Sequence, residues 1–497
     1  MKHFYTLAAF VAASAIGVMA HADSFGLVQQ SLANPENEPA PVHPLPSERQ
    51  ILWNETEFYG FFHYGMNTFT GKEWGYGNER ESIYAPTQKP NPRQWLEAVK
   101  AAGMKGGIAV VKHHDGFCLW PTETTTHSIM SSTSENAKVN IPEEFANAAR
   151  DLDMKYGFYV SPWDRNSAYY GTDKYVSEVF LRQCYELCEY GHDQFEMWFD
   201  GANGGDGYYG GANDTRSIDQ TTYYDIPNLR DSVHKVMPNC VMWGVGGEAR
   251  WIGNEAGWAG ETNWAAGSGT SGDENGTVWC AGESDAKATS AGWFWHSGQS
   301  VRSLNELWKF YMETVGRNAT LILNFPPDQR GLLPDADVAR LKEFGEALKA
   351  RLGTDLALRD DCTITATATR ANGATSTYDA KNMIDGDKET YWAAPDGVTD
   401  VTIELLFPER VNIHYVALQE YIRLGQRVKD FEVTVSPDGE QWHPTANGVT
   451  TTTVGYKRII PLNGSTTEYG SGYNLRGVRI HVKDAKACPL FHTVSIF

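Results

Sequence analysis

Between residues 50 and 350, short apolar runs alternate with longer stretches in which apolar side chains recur every three or four positions. The short runs lie at 58–63, 107–112, 156–161, 195–200, 241–245 and 320–325. They are rich in β-branched and aromatic residues and predict buried strands. The longer stretches, at 92–102, 174–190, 224–236, 304–315 and 336–352, predict amphipathic helices. Val176, Val179, Phe180, Cys184 and Leu187 form one such apolar stripe. Strands alternating with helices imply a parallel sheet, and about 300 residues of them predict an α/β fold of the (β/α)8-barrel type. Six strands stand out, so closure into eight is inferred from length. A doubly wound sheet is the alternative, but no G-x-G-x-x-G fingerprint follows the first strand.

After residue 353 the helical period disappears. Residues 361–497 alternate apolar and polar positions, at 401–406, 415–418, 431–436 and 478–482, and predict an antiparallel β-sandwich. The chain therefore divides into a barrel over 50–353 and a sandwich over 361–497. At the other end, Lys2 precedes an apolar run closed by Ala20-His21-Ala22, an A-x-A cleavage pattern. Residues 1–22 read as a signal peptide and 23–49 as an extended lead-in. The mature protein is expected to be exported, periplasmic or secreted. No later run reaches the roughly 18 apolar residues of a membrane span.

Charge narrows the partners. Sixty-two acidic residues against 42 basic ones give a net charge of −20, which argues against nucleic acid or an anionic membrane. Seven cysteines leave at least one thiol unpaired. Cys184 and Cys188 share a helix face, but no His or Cys cluster accompanies them, so they read as buried apolar side chains. The 16 Trp, 24 Tyr and 48 Gly suit either a core with turns or loops that stack flat faces on a ligand.

In such a barrel, chemistry sits at the C-terminal ends of the strands. Four of the runs end in Phe61-Phe62-His63-Tyr64, Lys112-His113-His114-Asp115, Tyr159-Val160-Ser161-Pro162-Trp163-Asp164 and Met197-Trp198-Phe199-Asp200. Imidazoles and carboxylates hydrogen-bond hydroxyls, and aromatic faces pack on sugar C–H faces, so this set points to a neutral sugar. Metal ligation by His63, His113, His114 and Asp115 is the rival. Neighbouring strand residues point to opposite faces, so His113 and His114 cannot both face inward without a bulge.

These residues carry a resemblance. FFHYGMNTFT at 61–70, KHHDGFCLW at 112–120, YGFYVSPWDR at 156–165, WFDGAN at 198–203, RWIGNEAG at 250–257, GETNW at 260–264, GWFWH at 292–296 and VGRNATLILNFPP at 315–327 resemble glycoside hydrolase family 29, the α-L-fucosidases. The GNE-type segment and residues 417–431 look closest to the subfamily that prefers α-1,3/1,4-linked fucose in Lewis-type glycans. The resemblance implies a retaining exo-enzyme without a required cofactor, acting on fucosylated oligosaccharides or glycoconjugates. Its nucleophile is then Asp200. Its acid/base is Glu255, with Glu248 as competitor, and residues 204–211 form the extra loop that lengthens the spacing between Asp200 and Glu255. The fucose pocket carries over to His63, Glu73, Trp74, His113, His114, Tyr159 and Trp198, with Trp295 as the late aromatic and Trp293 behind it. Glu261 and Glu283 become acceptor-sugar contacts, and Trp163 and Asp164 are further candidates. A broad-specificity α-L-fucosidase and a catalytically silent fucose-binding lectin are the alternatives.

Residues 375–392, the turn at Pro437-Asp438-Gly439 with Trp442, and residues 475–479 resemble a discoidin-like carbohydrate-binding domain. Trp392 and Trp442 occupy framework places there. The resemblance implies a structural calcium near Asp385, Asp387 and Thr390, although the chain end at 492–497 lacks a closing Glu. It also allows a loop of this module to reach the barrel mouth.

Overall fold

The computed structural model describes residues 37–371, 377–445 and 451–497. The proposed signal peptide and residues 375–376 of the discoidin-like motif lie outside them. Eight parallel strands form the first unit: β1 Phe58–Phe62, β2 Gly106–Lys112, β3 Lys155–Val160, β4 Glu196–Trp198, β5 Val241–Met242, β6 Ala249–Trp251, β7 Ala281–Lys287 and β8 Ala319–Asn324. Their order is β5-β4-β3-β2-β1-β8-β7-β6. A single parallel bridge, Trp243 to Ala249, joins β5 to β6 and brings the barrel nearly to closure.

Helices follow six of the eight strands: Pro92–Ala101, Ile141–Asp151, Leu181–Cys188, Ile226–Val236, Leu304–Thr314 and Asp335–Leu352. None follows β5 or β6. The β5–β6 connection is a single tight turn at Gly244–Gly246. Gly244 sits at φ 64°, and a Cβ there would stand 2.3 Å from the Phe199 carbonyl oxygen, so a side chain is excluded. Irregular chain fills residues 252–280 between β6 and β7. The two strands without a sequence signal, β6 and β7, belong to this region. The β7 segment AGESDAK is buried through Ala286 despite its charges, because its polar side chains find partners inside the barrel.

The second unit has two antiparallel sheets. One runs Thr363–Ala366, Val401–Ile413, Tyr473–Ala485, Val428–Ser436 and His443–Pro444; the other runs Trp392–Ala393, Leu490–Ile496, Tyr415–Glu420 and Arg458–Pro461. Trp392 is buried between them and stacks on Phe491, with ring centroids 6.1 Å apart. Trp442 is half-buried beneath the Arg479 guanidinium, 3.9 Å away. All seven cysteines are free thiols.

The sandwich meets the barrel at its N-terminal end, opposite the mouth. Gln426 accepts from Ala265 N and donates to Asn263 O, Tyr456 N donates to Asn318, and Lys457 pairs with Glu57. Glu57 and Asn318 stand just before β1 and β8 begin, so these contacts put the module under the barrel rather than at its mouth. Two side chains plug that end from within. Trp53 comes from the helix Glu48–Asn54, and Ile422 comes from the sandwich; both are buried with Tyr59, Phe195 and Ile322. Ile422→Ala opens a cavity at this joint. It is expected to cost about 2–5 kcal/mol and to lower the calorimetric Tm of one shared transition. Separate transitions with only the sandwich shifted would contradict a common core.

Candidate active site

The mouth is built from strand ends. At the end of β1, His63 Nδ1 lies 2.8 Å from Asn324 Oδ1, at the end of β8. The Asn324 amide nitrogen donates to the Trp293 carbonyl at 2.8 Å, so its oxygen is the acceptor and His63 Nδ1–H the donor. His63 Nε2 is therefore the acceptor nitrogen. At the end of β2 the pairing with β3 slips between Val110 and Lys112. That irregularity lifts the constraint on adjacent residues, and both imidazoles join the mouth. The His113 ring stacks on Tyr159 at 5.6 Å, and its buried Nδ1 has no protein partner. His114 Nδ1 donates to Ser161 Oγ at 2.6 Å, because that hydroxyl itself donates to the Trp163 carbonyl. Burial holds His63 down to about 3 and His114 down to about 4, and pushes His113 low as well. Three neutral imidazoles thus stand side by side, able to accept or donate to hydroxyls without carrying charge.

Asp200 follows β4. Its Oδ2 accepts from Tyr159 OH at 2.9 Å and its Oδ1 from Ala202 N at 2.7 Å. His114 Nε2 stands 3.9 Å from Oδ2, beyond a hydrogen bond. Trp198 forms the floor, stacked between Trp243 at 3.8 Å and Tyr159 at 5.1 Å. Its indole donates to Glu283 Oε1 at 2.7 Å. Glu255 lies past the end of β6, about half exposed, with Trp293 Nε1 at 3.2 Å and Lys287 Nζ at 3.6 Å. Asp200 and Glu255 line one cavity of about 790 Å³, together with Trp198, Trp243, Trp251 and Asp285.

The β1 loop closes the other side. Glu73 accepts from Trp293 N at 2.6 Å and contacts His296 Nε2 at 2.7 Å. A Cβ on Gly292 would stand 1.7 Å from Glu73 Oε1, so this approach requires glycine. Trp74 is exposed and packs edge-on against His114 and Trp163. The hairpin Gly205–Gly207 with Asp214–Arg216 lies beside it, where Asp206 pairs with Arg165 and Tyr209 OH accepts from Trp163 Nε1.

Several sequence expectations are redirected. Glu283 is not an acceptor contact: it is fully buried within β7, bound by Trp198 and Tyr59. Glu261 faces Arg317 at the opposite end of the barrel. Asp164 is committed to a buried ion pair with Lys112 at 3.2 Å. Glu248 precedes β6, at the end away from the mouth, where Arg49, His234 and Met242 N occupy it. Trp293 rather than Trp295 touches Glu255 and packs on His63, because it alone of the two hydrogen-bonds into the mouth. Trp295 is half-buried beside it. Trp251, whose segment the sequence placed beside the sugar site, does line the mouth; Phe294, Asn324, Trp243, Asp285 and Lys287 join it without having been singled out, and only the aromatics among them carried a compositional signal.

No group of three or more His, Cys, Asp or Glu side chains converges as metal ligands among the described residues. In the Asp385 loop, Asp385 accepts from Thr390 Oγ1 and Asp387 N, and Asp387 accepts from Glu389 N. These oxygens close their own turns.

A family profile described as Alpha-L-fucosidase matches residues 47–351, more than half of the chain, and one described as F5/8 type C domain matches residues 363–489. The chain belongs to the α-L-fucosidase family. It is a glycoside hydrolase of family 29 with a C-terminal discoidin-like domain. Alpha-L-fucosidase 1 of Arabidopsis thaliana is 32% identical, over 92% of this chain and 88% of its own. A solved glycoside hydrolase 29 family member from an unknown rumen bacterium is 36% identical with a TM-score of 0.78, covering 93% of this chain and 78% of that one. A Ruminococcus gnavus GH29 fucosidase, solved in complex with fucose, is 29% identical with a TM-score of 0.79, covering 95% and 98%.

The imidazoles make the fucosidase's stability pH-dependent. Below pH 6.5 the unfolded chain protonates at His63 while the folded chain does not until about 3. The contribution is intact above pH 6.5 and is lost as pH falls toward 3. Relative to His63→Asn, the parent should lose about 1.4 kcal/mol per pH unit between pH 6 and pH 4, read from urea midpoints. Identical pH profiles would contradict a neutral, buried His63.

Proposed function

We propose that this α-L-fucosidase works by double displacement, with Asp200 as nucleophile and Glu255 as acid/base, on α-1,3/1,4-linked fucose of branched glycans. The observation that carries this reading is the single cavity lined by Asp200 and Glu255. Asp200 attacks the anomeric carbon while Glu255 protonates the leaving oxygen; Glu255 then takes a proton from the water that releases fucose. A retaining pair works across roughly 5–5.5 Å with the sugar bound. His63, His113, His114 and Glu73 hold the fucose hydroxyls, and Trp74, Tyr159, Trp198 and Trp293 wall the ring and its methyl group. The cavity of about 790 Å³ is lined from the ends of β4 to β7 and not by the imidazoles that hold fucose, which favours acceptor sugars beside the scissile bond. No cofactor enters this scheme, so EDTA should leave turnover unchanged.

Asp200→Ala should lower kcat/KM on a Lewis trisaccharide by at least roughly 10³-fold. Azide should restore turnover in both catalytic variants with different products. Glu255→Ala should give α-fucosyl azide, formed from the covalent intermediate. Asp200→Ala should give the β-azide, formed by direct attack. Rescue in Glu248→Ala instead would overturn the acid/base assignment, and an active chain that cleaves only aryl fucosides would overturn the linkage assignment. No turnover by the parent on any fucoside would favour the lectin reading.

We further propose that the protein is exported and that maturation removes residues 1–22. N-terminal sequencing of the protein from the periplasm or medium should begin at Asp23; retention of Met1 in the cytoplasm would contradict it.

A further inference from the structure

Three large tryptophans are substantially exposed among the described residues: Trp74, Trp251 and Trp258. Trp251 closes β6 and lines the cavity shared by Asp200 and Glu255 with 45% of its surface open. An exposed indole is ordinarily free to rotate. This one is not: its Nε1 donates to Asp285 Oδ1 at 2.8 Å, and Asp285 is 95% buried, with 5% exposure, in the neighbouring strand β7. The strand pairing that places Trp251 opposite Glu283 fixes the backbone of both partners. A buried carboxyl is expensive to keep unless it has a use or a partner. Here its partner is a side chain whose ring faces solvent. A flat apolar face, held rigid and left uncovered beside the scissile position, loses little entropy when a sugar stacks on it.

We propose that Trp251 is the stacking platform for the sugar that carries the fucose, and that Asp285 is the residue that positions it. The inference rests on the reading of Asp200 and Glu255 given above. It assigns Asp285 no part in bond breaking. Burial pushes the Asp285 carboxyl up to about 8. A neutral group there accepts from the indole as well as an amide oxygen does. Asparagine should therefore replace it, and alanine should not. Arg250, on the same strand as Trp251, cannot share the role, because its guanidinium is bound to Gly269 O, Cys280 O and Asn263.

The test compares two substrates: the fucosylated oligosaccharide that the parent cleaves fastest, and α-L-fucosyl fluoride, whose leaving group is a single atom. Trp251→Ala and Asp285→Ala should each raise KM for the oligosaccharide about tenfold and leave kcat within twofold. On fucosyl fluoride both parameters should stay within twofold of the parent. Asp285→Asn should match the parent on both substrates. Equal losses on the two substrates, or an asparagine variant as impaired as the alanine one, would overturn the proposal. If Asp285→Ala fails to fold, Trp251→Ala and Trp251→Phe carry the test; the phenylalanine variant keeps a ring but loses its anchor, and a parental KM in it overturns the role of Asp285. A wrong catalytic assignment shows instead as residual activity in Asp200→Ala on both substrates, so the two failures are distinguishable.

Discussion

The hydrogen bond from the Trp198 indole to Glu283, 2.7 Å long and buried in the barrel axis, is the constraint on which the rest of the mouth depends. It fixes the ring that lies between Trp243 and Tyr159, and Tyr159 in turn holds Asp200. Beside Glu283 lies a second buried carboxyl, Glu196, which Trp53 contacts from below at 3.1 Å. Burial pushes both upward, and the charge of Glu283 raises Glu196 further, so the pair avoids carrying two charges in the core. A line of polar contacts thus runs from the plugged end of the barrel to the carboxylate at its mouth. Aromatic stacking supplies the stiffness and the two carboxyls supply the acceptors.

The same demand explains the irregular side of the barrel. Strands β6 and β7 face this polar column and the cavity, and no helix follows β5 or β6. Chain at residues 252–280 and the sandwich replace part of that cover at the closed end. The mouth beside β5 and β6 stays open, which is where the cavity of about 790 Å³ lies. Leaving out two helices keeps that space beside Asp200 and Glu255 open.

What could be read from sequence follows from this division. β1 to β5 and β8 are predominantly apolar and announced themselves as runs. β6 and β7 did not, because residues such as Glu283, Asp285 and Arg250 are buried through partners that only the fold brings together. His63, His113, His114, Tyr159, Trp198 and Asp200 were legible from strand ends. The bulge that lets both histidines face the mouth was not, since register is a property of two strands. Trp293 and Trp295 share parity, so spacing could not choose between them; the bond to Glu255 does. Glu248 and Glu255 are separated by one short strand, and its direction puts them at opposite ends of the barrel.

The central claim is that Asp200, held by Tyr159 above this floor, forms the covalent bond to fucose. Trapping with 2-deoxy-2-fluoro-α-L-fucosyl fluoride, followed by peptide mass mapping, tests it most directly. The label should appear once, on Asp200, and should vanish in Asp200→Ala. A label on Asp285, Glu255 or any other carboxylate would contradict the account.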